Sequence, residues 1–208
     1  MTRVWLIRHG EPAEEAMGRC YGSLDVGLSE KGRDQMNDVA AYLKSEPITG
    51  IYTSPRSRAQ EGARILERAL SHPVSVIEDL REIDYGEFEG LPYDEIAARY
   101  PQLYREWMEK PTEVRFPNGE SFAEMRFRVL SAFEGIQRKH QDETIAIVSH
   151  GGVNRIVLAA ALQIPDQCIF RLAQDYAALN LLAFVRGFPV VHLVNQRHPM
   201  NSVDVGSN

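Results

Sequence analysis

Two stretches of the chain are apolar without interruption, which predicts strands that are buried on both faces. The first spans residues 4–7, and the second lies within the strand predicted over residues 144–149. Unbroken apolar runs of this length are typical of parallel strands covered on both sides, whereas a half-exposed strand alternates apolar and polar residues. Shorter β-rich runs predict the remaining strands at residues 51–53, 74–77, 180–186 and 190–194.

Between these strands, apolar residues recur at spacings of three and four, the pattern of an amphipathic helix. Ser29 is predicted to cap the first helix, which closes before Pro47. Further helices are predicted at residues 57–71, 121–139 and 153–163. Because strands and helices alternate, we expect parallel β-α-β units and an α/β fold, a three-layer α/β/α sandwich around a mostly parallel sheet.

Residues 81–120 break this alternation, since they are polar and aromatic, contain several Gly and Pro, and are helical only in pieces. Ligands of open α/β sheets bind beyond the carboxyl ends of the strands. The segment is therefore interpreted as an insertion that covers those ends. Residues 196–208 have little to bury and predict a flexible tail, and the whole chain, 1–208, is interpreted as one domain.

Composition narrows the classes of function. A formal net charge of −6 over 208 residues argues against a nucleic-acid partner, and no apolar stretch is long enough to span a membrane. No secretory signal is visible, and Cys20 and Cys168 form neither a disulfide framework nor a metal spacing. We expect a cytoplasmic protein without cofactor or metal. Its oligomeric state stays open, a homodimer included.

Candidate chemistry lies where the two buried strands end. Each is followed by a His-Gly pair, His9 after the first and His150 after the second. If these strands are neighbours, both imidazoles and Arg8 converge on one crevice, together with Arg56 or Arg58 from the helix after the second strand. Arginine forks, imidazoles and a helix N-terminus suit a doubly charged anion rich in oxygen, such as phosphate.

A reaction at such a site requires a nucleophile and an acid. A neutral imidazole among cations is poised to attack phosphorus, and the leaving alkoxide needs a proton. Candidates for the acid cluster at the start of the insertion: Glu82, Asp84, Glu87 and Glu89.

These motifs resemble the histidine phosphatase superfamily. Six blocks match its pattern in order: RHG at 8–10, YGSLDVGLSEKG at 21–32, SPRSRAQEGA at 54–63, LREIDYGEFEG at 80–90, PNGES at 117–121 and VSHGGVNR at 148–155. The resemblance implies that His9 is the nucleophile that becomes phosphohistidine. It implies that Glu82 donates the proton and later helps to activate water. It implies that His150 stabilises the transferred phosphoryl group.

The resemblance also implies a set of substrate-binding residues. Arg8 and Arg58 would hold phosphate oxygens, and Gly151 would add an amide hydrogen. Many members of the family place a tryptophan-asparagine pair after RHGE, which this chain lacks. We expect Arg19 or Ser23 to line that wall of the pocket instead.

The function implied is that of a metal-independent phosphomonoesterase acting on a small phosphorylated metabolite through a phosphohistidine. The loops look most like the α-ribazole phosphatase and broad-specificity branches. The alternative is a phosphoryl transfer of the phosphoglycerate mutase type. Against it, mutases carry a basic insertion with an ERHYG form of the block that here contains EIDYG. A non-catalytic phosphate-binding module is the third alternative, although such a module would be expected to lack His9 or Glu82.

Overall fold

A computed structural model describes residues 1–198 and contains a six-stranded sheet in the order β3-β2-β4-β1-β5-β6. The first four strands in the chain run parallel, and the last two are antiparallel to their neighbours. This mostly parallel sheet confirms the predicted fold class. The strands are β1 (Thr2–Arg8), β2 (Ile48–Thr53), β3 (Val74–Val76), β4 (Thr144–Ser149), β5 (Leu179–Val185) and β6 (Phe188–Gln196).

Helices cover both faces of the sheet, so the layers are those of an α/β/α sandwich. In β1, Trp5 and Ile7 pack with the first two helices, while Val4 and Leu6 pack on the opposite face with the last two. Both faces of β1 are therefore buried, as its unbroken apolar run predicts. The α-helices of residues 1–198 are α1 (Glu30–Leu43), α2 (Ser57–Leu70), α3 (Tyr93–Arg99), α4 (Pro101–Glu109), α5 (Phe122–Lys139) and α6 (Gly151–Leu162).

Serine caps begin two of these helices. The Ser29 hydroxyl accepts the Gly32 amide at 2.9 Å at the start of α1. At the start of α5, Ser121 and Glu124 form a reciprocal capping box, in which the carboxylate accepts the Ser121 amide at 2.8 Å. Each cap satisfies amides that a helix N-terminus leaves without an intrahelical partner.

Some boundaries differ from those predicted. Helix α6 begins at Gly151 rather than at residue 153, because His150 is extended and serves as its N-cap. Strand β2 begins at Ile48 rather than at residue 51, since its backbone still pairs with β4 across an irregularity between Ile48 and Gly50. Gln196, the first residue of the predicted tail, instead ends β6. Residues 199–208 of that tail lie outside the described residues.

The insertion of residues 81–120 lies over the carboxyl ends of the strands. It contains α3 and α4, and an aromatic cluster holds it together, with Trp107 and Phe116 ring centroids 5.3 Å apart. Glu82 and Tyr93 of the insertion line the same pocket as His9. None of the helices described within residues 1–198 is long and apolar enough to cross a membrane.

Arg128 fastens the start of the insertion to α5. This side chain is only 8% exposed, and it binds both carboxylate oxygens of Glu120 at 2.6 and 2.7 Å. It also donates to the carbonyls of Asp79, Arg81 and Glu82 at 2.7–3.2 Å. A single guanidinium thus fixes the backbone that carries Glu82.

We expect Arg128→Met to lower the free energy of unfolding by about 3–5 kcal/mol, because the change leaves a nearly buried carboxylate and three carbonyls without their donor. Urea denaturation measures the loss. The matched control is Arg138→Met, which breaks an exposed pair with Glu134 and is expected to cost at most about 0.5 kcal/mol. Equal, small effects of both substitutions would contradict this role of Arg128.

Candidate active site

Parallel pairing of β1 with β4 brings the two imidazoles together. Arg8 is in register with Ser149, and the His9 amide continues the ladder by donating to the Ser149 carbonyl at 2.9 Å. The residues that follow, His9 and His150, therefore lie side by side, with ring centroids 5.2 Å apart. His9 is 2% exposed and lines the pocket, while His150 is fully buried.

A backbone contact sets the tautomer of His9. Its Nδ1 lies 2.7 Å from the carbonyl oxygen of Gly10, which can only accept a hydrogen bond. Nδ1 therefore carries the proton in the neutral ring, and Nε2 keeps its lone pair. Burial, followed by the charges of Arg58 and Arg8, holds the pKa of His9 well below its ordinary value. The arrangement gives a neutral imidazole with a nucleophilic Nε2.

His150 is held by Ser54, the residue after β2. The Ser54 hydroxyl oxygen accepts the Arg56 amide at 3.2 Å and lies 2.7 Å from Nε2 of His150. The hydroxyl oxygen keeps a second lone pair and its own proton, so this contact fits either tautomer of the ring. The Nδ1 of His150 is buried and has no hydrogen-bond partner within residues 1–198. Burial, then Arg58 and His9, keep the pKa of His150 well below its ordinary value.

The two predicted phosphate arginines are both at this edge of the sheet. Arg58, in the first turn of α2, is 1% exposed and donates to the carbonyls of Leu24 and Gly22 at 2.9 and 2.8 Å. Arg8 donates to the Gln174 carbonyl. The Nε atoms of both arginines are buried without a partner in the described part of the chain. Buried polar groups are nearly always paired, so these donors fit an anion in the pocket.

The N-terminus of α6 adds its amides to the same pocket. Gly151 is the first helical residue, where amides have no intrahelical partner and the helix dipole favours an anion. The next amide, of Gly152, donates to Glu82 Oε2 at 3.0 Å. A Cβ on Gly152 would lie 2.3 Å from Glu82 Oε1, so the close approach of this carboxyl requires glycine there.

Of the four acidic candidates, Glu82 lines the pocket with His9. The others have structural contacts: Asp84 accepts the Gly86 amide, and exposed Glu87 accepts the Tyr100 hydroxyl. Glu89 accepts the amides of residues 22–24 at 2.7–3.2 Å, which fixes the loop whose carbonyls bind Arg58. In the sequence, Glu89 stands among other acidic residues, and nothing there indicates that it would contact this loop.

Arg19 and Ser23 are not brought to the pocket wall where we expected one of them. Arg19 is exposed, and its guanidinium donates to the Gly90 carbonyl at 2.7 Å. The Ser23 hydroxyl donates to Asp84 at 3.1 Å, and its amide to Glu89. Backbone pairing between Arg19 and Pro92 directs the arginine along the surface. Neither Arg19 nor Ser23 is among the described residues that line the pocket.

Two tyrosines to which the sequence assigned no role also lie at this site: Tyr21, which begins the second block, and Tyr176, which belongs to none. Their hydroxyl oxygens lie 2.8 Å apart. The Arg8 guanidinium carbon lies 4.1 Å from the Tyr176 ring centroid, and that of Arg58 lies 5.1 Å from the Tyr21 centroid. The tyrosine pair thus stacks on both arginines and restricts their orientation.

The outer part of the pocket is mostly apolar and aromatic. Its walls come from the insertion, from α5 and from the segment after α6: Ile83, Tyr93, Trp107, Phe122, Met125 and Phe170. Within residues 1–198, no group of three or more His, Cys, Asp or Glu side chains is arranged to hold a metal ion. The inner end suits a phosphate, and the outer end suits the rest of a small ester.

Comparison with known proteins agrees with this geometry. The model of the histidine phosphatase superfamily (branch 1) matches residues 4–197. Phosphoserine phosphatase 1 of Hydrogenobacter thermophilus is 31% identical over 99% of this chain and 93% of its own length. The metal-independent phosphoserine phosphatase of Arabidopsis thaliana is 31% identical over 97% of this chain and 81% of its own.

A solved structure shares the fold over nearly the same span. The α-ribazole phosphatase of Shigella flexneri superposes with a TM-score of 0.86 at 25% identity, over 94% of this chain and 96% of that one. The chain also spans 54% of the length of several mycobacterial relatives that are 36% identical to it. These matches confirm the family and the phosphatase branch predicted from the six motifs. The chain belongs to the histidine phosphatase superfamily, branch 1, and is a phosphatase.

Proposed function

We propose that this phosphatase hydrolyses a small phosphate monoester without a metal ion, by way of a phosphohistidine at His9. The observation that carries the proposal is the bond between His9 Nδ1 and the Gly10 carbonyl, which leaves a neutral Nε2 in the pocket beside Arg8 and Arg58. A nucleophile must be deprotonated to attack, and these two arginines supply charge that stabilises the phosphoryl group.

In the first step, His9 Nε2 forms a bond to phosphorus while the bond from phosphorus to the ester oxygen breaks. Arg8, Arg58 and the Gly151 amide stabilise the equatorial oxygens. We assign the ring proton of His150 to its Nδ1, unpartnered within the described part of the chain, which adds a further hydrogen bond. Glu82 transfers its proton to the departing oxygen, so the alcohol leaves neutral. The positive charge that develops on the His9 ring is stabilised by the Gly10 carbonyl.

In the second step, water displaces His9 from phosphorus. Glu82, now a carboxylate, accepts a proton from the attacking water, and phosphate is released. The amides of Ile83 and Gly152 hold the two oxygens of this carboxyl, each at 3.0 Å, so one group occupies the same place in both steps.

The names of the relatives suggest which ester to test first. Two of them are called phosphoserine phosphatases, and the solved structure is called an α-ribazole phosphatase. O-phosphoserine is small enough for a pocket closed by Tyr93 and Trp107, and we take it as the first substrate to assay.

We expect His9→Ala to lower phosphate release from p-nitrophenyl phosphate by about 10⁴-fold or more, because the variant lacks the attacking atom. It should also abolish the acid-labile ³²P label that rapid quenching traps on the wild-type protein. All assays contain EDTA, in which the wild type is expected to stay active. His192→Ala, at an exposed position of β6, is the matched control and should behave as wild type.

A wild type that loses its activity in EDTA and regains it with Mg²⁺ would contradict the metal-independent mechanism. Hydrolysis by His9→Ala at the wild-type rate would remove His9 as nucleophile. Isomerisation of 3-phosphoglycerate without release of free phosphate would replace hydrolysis by transfer of the mutase type.

We expect Glu82→Gln to lower turnover by about 10²–10⁴-fold, because the amide can neither donate nor accept the required proton. Nitrophenolate leaves without protonation, so the variant should give one rapid burst from p-nitrophenyl phosphate and then stall as phosphoenzyme. An alkyl phosphate should give no burst. Glu87→Gln, in the same acidic segment but exposed, is the control. Wild-type turnover of both esters by Glu82→Gln would contradict the assignment.

A further inference from the structure

The pocket contains a third arginine that the proposed mechanism does not use. Arg155 lies on α6, four residues after Gly151, and so on the same face of the helix. Its Nη1 lies 3.1 Å from the point that a Cβ on Gly151 would occupy, and Arg8 Nε lies 3.5 Å from that point. Arg155 therefore lies next to the phosphate-binding part of the pocket, although it belongs to α6 and not to the strands.

The segment after α6 fixes the orientation of Arg155. Its Nε donates to the Leu172 carbonyl at 2.8 Å, and its guanidinium carbon lies 5.4 Å from the Phe170 ring centroid. The two terminal nitrogens make no hydrogen bond and no ion pair with residues 1–198. Burial, followed by the charge of Arg8, lowers the pKa of Arg155, against raising contributions from Glu82 and Asp175. Such a cation favours an anionic ligand.

The charges that line the pocket do not balance for a simple ester. Among residues 1–198 the charged lining residues are Arg8, Arg58, Arg155 and Glu82. Arg8 and Arg58 suffice to neutralise a phosphate dianion, with help from the imidazoles and the α6 amides. Glu82 carries its proton when the ester binds in the mechanism proposed above, so it adds no charge at that stage. The charge of Arg155 therefore remains to be balanced by an anionic group on the alcohol half of the ester.

The surroundings of Arg155 indicate the kind of anion. The Phe170 ring lies beside its guanidinium, and Ile169 lines the same pocket. A second phosphate dianion would bring two charges against the single charge of Arg155, whereas a carboxylate brings one and is matched by the two terminal nitrogens of one guanidinium. We propose that Arg155 binds a carboxylate on the alcohol half of the ester, so the preferred substrates are phosphate esters of small hydroxy acids. This inference rests on the proposed hydrolysis.

Two esters that differ by a single carboxylate test the proposal. O-phosphoserine carries this group and O-phosphoethanolamine lacks it, so the ratio of their kcat/KM values reports on the carboxylate alone. We expect the wild type to favour O-phosphoserine. In Arg155→Met the ratio should fall by about 10- to 100-fold, the range for losing a hydrogen bond between charged groups. Arg155→Lys keeps the charge but has only one terminal nitrogen. Its ratio should therefore lie between those of the wild type and Arg155→Met.

The matched control is Arg171→Met, an exposed arginine of the same neighbourhood that does not line the pocket, and its ratio should equal that of the wild type. An equal loss with both esters in Arg155→Met would place Arg155 on the phosphate and overturn the proposal. An unchanged ratio would overturn it as well.

A measurement on the wild type covers the case in which the variants do not fold. The methyl ester of O-phosphoserine has no carboxylate, and its kcat/KM should be lower by a similar factor. Equal kcat/KM values for the methyl ester and the free acid would contradict the carboxylate site. A failure of the proposed hydrolysis itself is distinguishable, because the wild type would then release no phosphate from p-nitrophenyl phosphate.

Discussion

The pairing of β1 with β4 is the constraint on which the rest of the site depends. Because Arg8 is in register with Ser149, the next residue of each strand is an imidazole at the same edge of the sheet. A slip of one residue would turn every side chain of the strand to the opposite face. Trp5 and Ile7 pack on one face of β1 and Val4 and Leu6 on the other, and this packing holds the register and keeps His9 against His150.

The site brings positive charge and neutral imidazoles together in one pocket, and buried polar contacts stabilise that arrangement. Arg8 is anchored to the Gln174 carbonyl, and the Gln174 side chain is bonded in turn to Asn154 and Asn180. Arg58 is anchored to loop carbonyls that Glu89 holds in place. These contacts keep the cations apart from each other and oriented before substrate arrives, which is how a preorganised site lowers the barrier to phosphoryl transfer.

The sequence predicts features that depend on interactions between residues close together in the chain. It does not predict those that depend on contacts with distant residues. Apolar periodicity and the serine caps act locally, so the strands and the starts of α1 and α5 were predictable. The end of β1 pointed to His9, whereas only the resemblance to the histidine phosphatase superfamily selected Arg58 and Glu82 from their neighbours. The positions of Arg19 and Arg155 were not predictable, because backbone pairing and contacts with distant residues decide where these long side chains lie.

The central claim is that His9 is neutral, with its proton on Nδ1 and its lone pair on Nε2. NMR of ¹⁵N-histidine-labelled protein, free of phosphate, reports the tautomer and the charge of this ring directly. We expect a neutral Nδ1–H form that does not change between about pH 5 and pH 8, because burial and two arginines lower the pKa of His9. A ring that becomes doubly protonated near its ordinary pKa, or that carries its proton on Nε2, would contradict the account.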